Sequence, residues 1–402
     1  MPAASASVVS AAIRQSLDGA SWIRRMFEEG ARLKALHGDA NVYDFSLGNP
    51  ILDPPPALRA TLIDLLSHPS PGMHRYIPNA GLPEARAFVA EHLARATGLP
   101  YTAQHVVMTV GAAGAVNIAL KALLNPGDEV VAFTPYFVEY DFYAANHGGK
   151  LVRADTDAAF QIDIPALERV LTPRTRAVLV NSPNNPSGVV YPQERLRALA
   201  DCLRAAGRRF GRPIYVIADE PYRELVFDGV TVPWIPALYD HTVIATSYSK
   251  DIGIPAERLG FAAVAPQAAE AELMMDAMVL ANRILGFVNA PALFQRALPR
   301  LRGQKVDVGY YQMLRDKMLK PLREMGYQVV TPQGAFYLFP KSPVPDDAAF
   351  VKAAQAERLL LVPGSGFGRP GYFRIALCVQ PEVIDRALPV FDKVLRQARS
   401  LT

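Results

Sequence analysis

Two stretches decide how this chain folds, Ile214-Tyr-Val-Ile-Ala-Asp219-Glu-Pro-Tyr222 and Val243-Ile-Ala-Thr-Ser-Tyr-Ser-Lys250. Each is a short apolar run that leads directly into ionisable residues. Short apolar runs of this kind are typical of strands that are buried on both faces of a sheet. Because ligands bind beyond the carboxyl ends of the strands in an open α/β sheet, we expect Asp219 and Lys250 to lie at the same edge.

The same pattern extends in both directions from these stretches. Strands are predicted at residues 106–110, 129–133, 151–154, 177–181, 214–218, 243–246 and 261–265. Helices are predicted between them at residues 115–124, 138–147, 164–171 and 193–209. Short strands that alternate with amphipathic helices predict an α/β fold with a mostly parallel, seven-stranded sheet that is covered by helices.

The two ends of the chain show a different, helix-rich pattern. A helix at residues 8–36 precedes the alternating region, and helices near 306–325 and 381–396 follow it, with strands near 327–330, 335–339 and 372–377. We therefore predict a large domain at residues 49–285. Residues 1–48 and 286–402 are predicted to form a smaller α+β domain together.

Composition excludes several classes of protein. A chain of 402 residues with a net charge of +4 and no dense basic run is a poor candidate for binding nucleic acid or an anionic membrane. Two cysteines cannot form a disulfide framework, which suits a reducing compartment. Neither a secretory signal nor an apolar stretch of the ~20 residues that span a bilayer is evident. We expect a cytoplasmic protein with small-molecule partners, and we assign no metal site.

Three motifs at predicted strand ends could bind a polar ligand. Gly111-Ala-Ala-Gly114 opens a helix, where backbone N–H groups can approach an anion closely, although such turns are often only turns. Asn185 lies in Asn181-Ser-Pro-Asn-Asn-Pro-Ser-Gly188, which could equally be a proline-rich connector. Asp219 could pair with a protonated ring nitrogen, with Tyr222 beside it, or could cap a helix.

The fourth motif, Ser247-Tyr-Ser-Lys250, offers a lysine in a serine-rich turn at a strand end. A lysine that is partly withdrawn from water becomes nucleophilic, whereas a lone lysine is usually solvated. Arg258 lies eight residues further on, where its guanidinium could reach the same anion as Ser247. An anion cradle, an amide, a carboxylate and a reactive lysine in this order match what a pyridoxal 5′-phosphate (PLP) site needs.

With these motifs the chain resembles the fold-type I, class I/II aminotransferases, the aspartate aminotransferase superfamily, over nearly its whole length. Further matching pieces are Tyr76-x-x-x-x-Gly81-Leu-Pro, Asn125-Pro-Gly-Asp, Arg258-Leu-Gly260 and Arg374-Ile-Ala-Leu. The resemblance implies a PLP-dependent enzyme that moves the amino group of an L-amino acid to a 2-oxo acid by a ping-pong mechanism. It also implies a homodimer with shared active sites.

The resemblance also implies a role for each residue. Lys250 would form the internal aldimine and carry the proton, with Asp219 on the ring nitrogen and Tyr222 on the ring oxygen. The residues implied to bind the cofactor are Gly111, Ala112, Ala113, Tyr136, Asn185, Asp219, Tyr222, Ser247, Lys250 and Arg258, together with Tyr76 from a neighbouring subunit. Those implied to bind substrate are Gly48, Asn185 and Arg374, with Arg374 as a bidentate clamp for the α-carboxylate.

Substrate and reaction type stay open at this level. Arg283 could read a distal substrate carboxylate, or it could be a helix-surface arginine. Otherwise apolar and aromatic residues near the entrance (Trp22, Ile23, Ile51 and Phe137) would suit an apolar or aromatic side chain. The same cofactor could also support β-elimination, β-decarboxylation or another biosynthetic reaction. A PLP-sensing regulator would need an added DNA-binding region, for which we see no room.

Overall fold

The fold was obtained as a computed structural model that describes residues 8–18 and 22–400. Elements are numbered in chain order. The strands are β1 (Tyr43–Asp44), β2 (Val106–Thr109), β3 (Glu129–Thr134), β4 (Lys150–Asp155), β5 (Thr175–Asn181), β6 (Tyr215–Asp219), β7 (Thr242–Ser247), β8 (Gly260–Val264), β9 (Tyr337–Leu338), β10 (Leu359–Leu360), β11 (Val362–Pro363) and β12 (Phe373–Ala376).

The helices predicted at residues 115–124, 138–147, 164–171, 193–209, 306–325 and 381–396 each match an observed helix to within a few residues. The observed helices are α1 (Ala11–Asp18), α2 (Trp22–His37), α3 (Pro56–Ser67), α4 (Pro83–Thr97), α5 (Gly111–Leu123), α6 (Glu139–Asn146), α7 (Ile164–Val170), α8 (Gln193–Phe210), α9 (Ala271–Ile284), α10 (Ala292–Ala297), α11 (Val308–Met325), α12 (Asp347–Ala356) and α13 (Pro381–Arg399).

Seven strands form one sheet in the order β2-β8-β7-β6-β5-β3-β4. Strand β8 is antiparallel to both of its neighbours, and the pairs from β7 to β4 are parallel. The register pairs Asn181 of β5 with Asp219 of β6, and Asp219 with Ala245 of β7. The carboxyl ends of three adjacent strands therefore meet at one edge, which is where an open α/β sheet binds ligands.

Helices cover both faces of this sheet, because successive apolar residues of each strand point to opposite sides. In β5, Leu179 packs in the cluster that α5, α6 and α9 share. Its neighbours Val178 and Val180 pack in a larger cluster that continues into the C-terminal part of the chain as far as Phe391. The predicted α/β class with a mostly parallel, helix-covered seven-stranded sheet is confirmed.

The two ends of the chain come together beside this sheet. Strand β1 pairs in parallel with β10, and β9, β12 and β11 form a separate antiparallel sheet. Residues near 43 and near 360 thus share one small sheet, as expected for an α+β part that both termini form. The domain boundaries at residues 48/49 and 285/286 stay a prediction.

Some local predictions differ from the structure. No strand forms at residues 327–330, where the prediction was wrong, and the strand predicted at 335–339 is only Tyr337–Leu338. The helix predicted at 8–36 falls on α1 and α2, with residues 19–21 outside the described part. Among the residues that the structure describes, none of the helices combines the length and the apolar character that crossing a lipid bilayer requires.

Candidate active site

A cavity of about 280 Å³ lies at the carboxyl ends of β5, β6 and β7. Its wall also includes the start of α5 and residues from both ends of the chain. Ten of the predicted site residues line it: Gly48, Ala112, Ala113, Asn185, Asp219, Tyr222, Ser247, Lys250, Arg258 and Arg374. Folding therefore collects residues from six separate stretches of sequence around one space.

Asp219 ends β6 and points its carboxylate into this cavity. The hydroxyl of Tyr140 donates a hydrogen bond to Oδ2, whereas the buried Oδ1 has no hydrogen-bond partner among the described residues. Burial raises the pKa of Asp219 to about 7, although the bond from Tyr140 acts in the opposite direction. A buried carboxylate oxygen without a partner is costly, so this atom is suited to receive an N–H donor, best a cationic one.

Asn181 holds the neighbouring polar groups in place. Its amide nitrogen donates to the carbonyl oxygen of Asp219 at 2.9 Å, and its Oδ1 accepts from the backbone N–H of Asn185 at 2.7 Å. One side chain thus ties the end of β6 to the loop that follows β5. The loop bearing Asn185 is therefore positioned relative to the carboxylate rather than left mobile.

Lys250 lies at the centre of the cavity wall. Its Nζ donates to the carbonyl oxygen of Gly48 at 3.1 Å and faces the ring of Phe336 at 5.3 Å. Burial lowers the pKa of Lys250 to about 8, and the nearby cations Arg258 and Arg374 contribute to the decrease. An amine with this pKa is partly neutral near physiological pH, which a nucleophile and proton carrier require.

One end of the cavity is built to receive an anion. Helix α5 begins at Gly111, whose φ of 78° is in the left-handed region that favours glycine. A Cβ at Gly111 would lie 2.7 Å from Nη2 of Arg258, so the absence of a side chain lets the guanidinium approach the turn. The first N–H groups of a helix together with an arginine form a typical phosphate site. Ala112, Ala113 and Ser247 complete this wall.

Arg374, on β12, is a buried cation at the other side of the cavity. Its Nη1 donates to Oδ1 of Asn185 at 3.0 Å and its Nη2 to the carbonyl oxygen of Ser46 at 2.6 Å, while Nε has no partner. Only 2% of its surface is exposed, and burial lowers the pKa of its guanidinium. Within the described chain no carboxylate pairs with Arg374, so the site favours a carboxylate from a ligand.

Tyr222 and Tyr337 form a hydroxyl pair beside Gly48. The two oxygens lie 2.9 Å apart, and the guanidinium of Arg374 faces the ring of Tyr337 at 4.7 Å. A Cβ at Gly48 would meet the Tyr337 hydroxyl at 2.1 Å, so only glycine fits there. The hydroxyl pair therefore occupies a fixed position between Lys250 and Arg374.

Several predicted residues do not line the cavity. Tyr136 is buried nearby, where its hydroxyl donates to Asp141 at 2.5 Å and accepts from Arg153 at 2.9 Å, and the next residue, Phe137, lines the cavity instead. Tyr76 is 92% exposed, and Arg283 is exposed on α9.

The remaining predicted residues are Gly111, Ile51, Trp22 and Ile23. Gly111 stands next to Arg258 behind the lining residues. Ile51 is not among the lining residues. The side chains of Trp22 and Ile23 lie outside the described part of the structure.

Sequence reasoning gave no role to several residues of this wall, among them Tyr140, Tyr143, Asn181 and Tyr337. Tyr140 lies inside α6, away from any strand end, and meets Asp219 from 79 residues upstream. Tyr337 meets Tyr222 across 115 residues. A search limited to strand ends could find neither tyrosine. Asn181, at the end of β5, was within reach of such a search but was not given a role.

Comparison with known proteins places this geometry in a family. The family model "Aminotransferase class I and II" matches residues 40–391. An aspartate/prephenate aminotransferase of Thermus thermophilus is 32% identical over 361 residues, covering 87% of this chain and 90% of the relative. An aromatic-amino-acid aminotransferase of Thermococcus litoralis is 29% identical, covering 94% of this chain and 96% of the relative.

Solved structures that superpose on this chain are also aminotransferases. An aminotransferase from Eubacterium rectale superposes with a TM-score of 0.94 at 39% identity, covering 98% of this chain and 99% of the other. The aspartate aminotransferase of Thermus thermophilus with maleate gives a TM-score of 0.84 at 26% identity, covering 97% and 100%. The chain therefore belongs to the class I and II aminotransferases. It is an enzyme that transfers amino groups, with amino acids and 2-oxo acids as substrates.

The buried carboxylate of Asp219 predicts a pH-dependent cost to the ligand-free fold. Because folding raises its pKa from 3.8 to about 7, stability is lost as pH rises between these two values. Asp219→Asn removes this loss, so the ligand-free variant should be more stable than wild type by roughly 2 to 4 kcal/mol at pH 8, with a smaller difference near pH 4. Urea unfolding at both pH values measures the difference.

The matched control is Asp201→Asn, since Asp201 is an exposed carboxylate on α8. Asp201→Asn should not increase the free energy of unfolding at pH 8 by a comparable amount. An Asp219→Asn variant that is less stable than wild type at pH 8 would show that Oδ1 has a favourable partner in the ligand-free protein.

Proposed function

We propose that this enzyme holds PLP on Lys250 and uses it to move the amino group of an L-amino acid to a 2-oxo acid. One observation carries the proposal. Three ionic groups face one cavity of about 280 Å³, namely the carboxylate of Asp219, the amine of Lys250 and the guanidinium of Arg374, and none of them forms an ion pair with another described residue. Each charge lowers the stability of the ligand-free site. Each is also complementary to one group of the cofactor or substrate: the ring nitrogen for Asp219, the aldehyde for Lys250 and the α-carboxylate for Arg374.

The residues present fit the cofactor. A phosphate suits the start of α5 with Ser247 and Arg258, and an aldehyde suits the amine of Lys250. A protonated pyridine nitrogen would supply the N–H donor that Oδ1 of Asp219 lacks. The ring oxygen suits Asn185 and Tyr222, which lie between these ends. Because Phe137 lines the cavity and Tyr136 does not, we expect Phe137 to contact the ring face.

The amine of Lys250 would serve twice, first to hold the cofactor and then to carry a proton. When bound, the cofactor supplies a conjugated ring that accepts the electron pair left by cleavage of the substrate Cα–H bond. Arg374 would bind the α-carboxylate and so orient Cα towards Lys250, whose Nζ would take up the Cα proton and later give it back. Asp219 stabilises positive charge on the ring nitrogen throughout. The first amino acid leaves as an oxo acid before the second substrate binds, which gives ping-pong kinetics.

Elimination or decarboxylation on the same cofactor is the alternative reaction, and the products distinguish it from transfer. Amino-group transfer converts an added 2-oxo acid into an amino acid, and the amount formed equals the amount of oxo acid released from the first substrate. The relatives are named as aminotransferases, which favours transfer.

Replacing the reactive amine tests the proposal directly. Lys250→Ala should reduce amino-group transfer by at least about 1,000-fold and remove the visible absorbance of the lysine-bound cofactor. Transfer is measured as the amino acid formed from an added 2-oxo acid. Lys320→Ala is the control, since the Lys320 side chain is 82% exposed on α11. Wild-type activity in Lys250→Ala would refute the assignment.

For the substrate side chain we propose an apolar or aromatic group. The cations that line the cavity in the described chain are Lys250, Arg258 and Arg374, and each already has a role. None is left for a distal carboxylate, while Phe137 and Tyr337 offer apolar surface. The relatives' names include both aspartate and aromatic amino acids, so homology leaves both classes of donor open.

Arg283 provides the test of this choice. We expect kcat/KM to be higher for phenylalanine or leucine than for aspartate. Arg283→Ala should leave the ratio of these two kcat/KM values unchanged within about twofold. The control is Arg197→Ala, another exposed helical arginine. A loss of more than about tenfold for aspartate alone would mean that Arg283 reads a distal carboxylate, since a buried charge contact contributes that much or more.

We also propose that the enzyme acts as a homodimer. Leu273, Leu280 and Ile284 lie 7 and 4 positions apart on α9 and are 61%, 57% and 59% exposed, which makes an apolar stripe typical of a protein interface. The amide of Asn282 donates to the carbonyl oxygen of Asn79 at 3.0 Å, which ties this helix to the loop of the exposed Tyr76. Tyr76 is therefore placed to reach a neighbouring subunit.

Mixed dimers distinguish a shared site from a self-contained one. Lys250→Ala subunits and Tyr76→Ala subunits should each show low activity. Mixing them should restore up to about a quarter of wild-type activity, because one site of a mixed dimer then has both residues intact. No recovery after confirmed subunit exchange would contradict the shared site. Light scattering checks the dimer independently.

Two broader proposals complete this assignment. We place the enzyme in the cytoplasm, supported by a chain with only two cysteines and no long apolar segment. We divide the chain into a large domain at residues 49–285 and a small domain at 1–48 and 286–402. The seven-stranded sheet lies wholly inside the first range, which supports this division.

A further inference from the structure

Tyr337 lies beside Tyr222 in the cavity wall. The two hydroxyl oxygens are 2.9 Å apart, and within the described part of the chain the Tyr337 hydroxyl has no other hydrogen bond. Both rings are buried, with 6% of Tyr222 and 3% of Tyr337 exposed. Bulk water therefore does not compete for this bond, and the pair acts in a medium where hydrogen bonds polarise one another.

Counting hydrogens fixes the direction of the bond once a ligand is present. Each hydroxyl has one hydrogen to donate. If Tyr222 donates its hydrogen to the ring oxygen of the cofactor, it has none for Tyr337. The short oxygen–oxygen distance then requires Tyr337 to be the donor and Tyr222 the acceptor.

The surroundings of Tyr337 favour that direction. The guanidinium of Arg374 faces its ring at 4.7 Å, and this cation opposes the effect of burial, which raises the pKa of Tyr337 to about 12. Burial also raises the pKa of Tyr222. A cation over the ring of a phenol withdraws electron density and makes its hydroxyl a better donor, and Arg374 faces the Tyr337 ring in this way.

We propose that Tyr337 is a positioning residue that donates to Tyr222 and thereby strengthens the hydrogen bond from Tyr222 to the cofactor ring oxygen. This inference rests on the proposed function, since it needs the cofactor in this cavity. Packing holds the relay in place, because the Tyr337 ring lies against both Gly48 and the guanidinium of Arg374. In this role Tyr337 acts on the cofactor through the Tyr222 hydroxyl.

The test is a visible-absorbance titration of the holoenzyme between pH 5 and pH 10. A donor to the ring oxygen stabilises its negative charge most after the nitrogen of the lysine–cofactor bond has lost its proton. Weakening this hydrogen bond should therefore raise the pH at which half of the enzyme has lost the proton on that nitrogen, which is the midpoint of the titration. Cooperative strengthening is about 10–30% of one bond, so Tyr337→Phe should move the midpoint upward by roughly 0.2 to 0.6 pH units.

A second substitution should shift the titration midpoint in the opposite direction. Placing 3-fluorotyrosine at position 337 makes the hydroxyl more acidic with little change in shape, so the midpoint should move downward. In a Tyr222→Phe background Tyr337→Phe should cause no further change, because the relay is already broken. Tyr327→Phe is the matched control, since Tyr327 is buried and its hydroxyl donates to the Phe391 carbonyl oxygen away from the cavity.

The outcomes separate this inference from the proposed function. A wild-type holoenzyme without a visible band would refute both. A normal band whose midpoint does not change with Tyr337→Phe, or changes equally in the Tyr222→Phe background, would refute the relay alone. Equal shifts in Tyr327→Phe would show a general effect of losing a buried hydroxyl and would also refute it.

Discussion

The carboxylate of Asp219 is buried with one oxygen bonded to Tyr140 and the other without a partner, and much of the site depends on this arrangement. A buried acceptor without a partner costs about 1–3 kcal/mol, and a buried charge costs more. The ligand-free protein therefore stores an unfavourable charge that a protonated ring nitrogen would relieve. The cavity contains two further examples in the amine of Lys250 and the guanidinium of Arg374.

The sheet and its loops hold these charges apart and in order. Parallel pairing of β5, β6 and β7 sets Asn181, Asp219 and the turn of Lys250 side by side. The amide of Asn181 then fixes the loop that bears Asn185. Charges fixed by backbone register need no rearrangement when a ligand binds, which is how a preorganised site stabilises developing charge.

The terminal part of the chain completes the site from the opposite side. It supplies Arg374, Tyr337 and Gly48, and the carbonyl oxygen of Gly48 accepts the hydrogen bond of Lys250. Because one apolar cluster extends from the sheet to Phe391, the two parts are packed together across the cavity. In the proposed assignment, substrate carboxylate and cofactor would be bound by different regions of the chain, and their relative position would depend on this packing.

The sequence alone determined the alternating strands and helices, because apolar periodicity is local. It located Lys250 and Asp219 through motifs at strand ends, and Arg374 through the resemblance to a family. It could not locate Tyr140 or Tyr337, since their partners lie 79 and 115 residues away and no short pattern records such a contact. Tertiary structure also decided that Phe137 rather than Tyr136 lines the cavity, because neighbouring side chains point in different directions. Burial, and with it every shifted pKa, exists only once distant segments pack together.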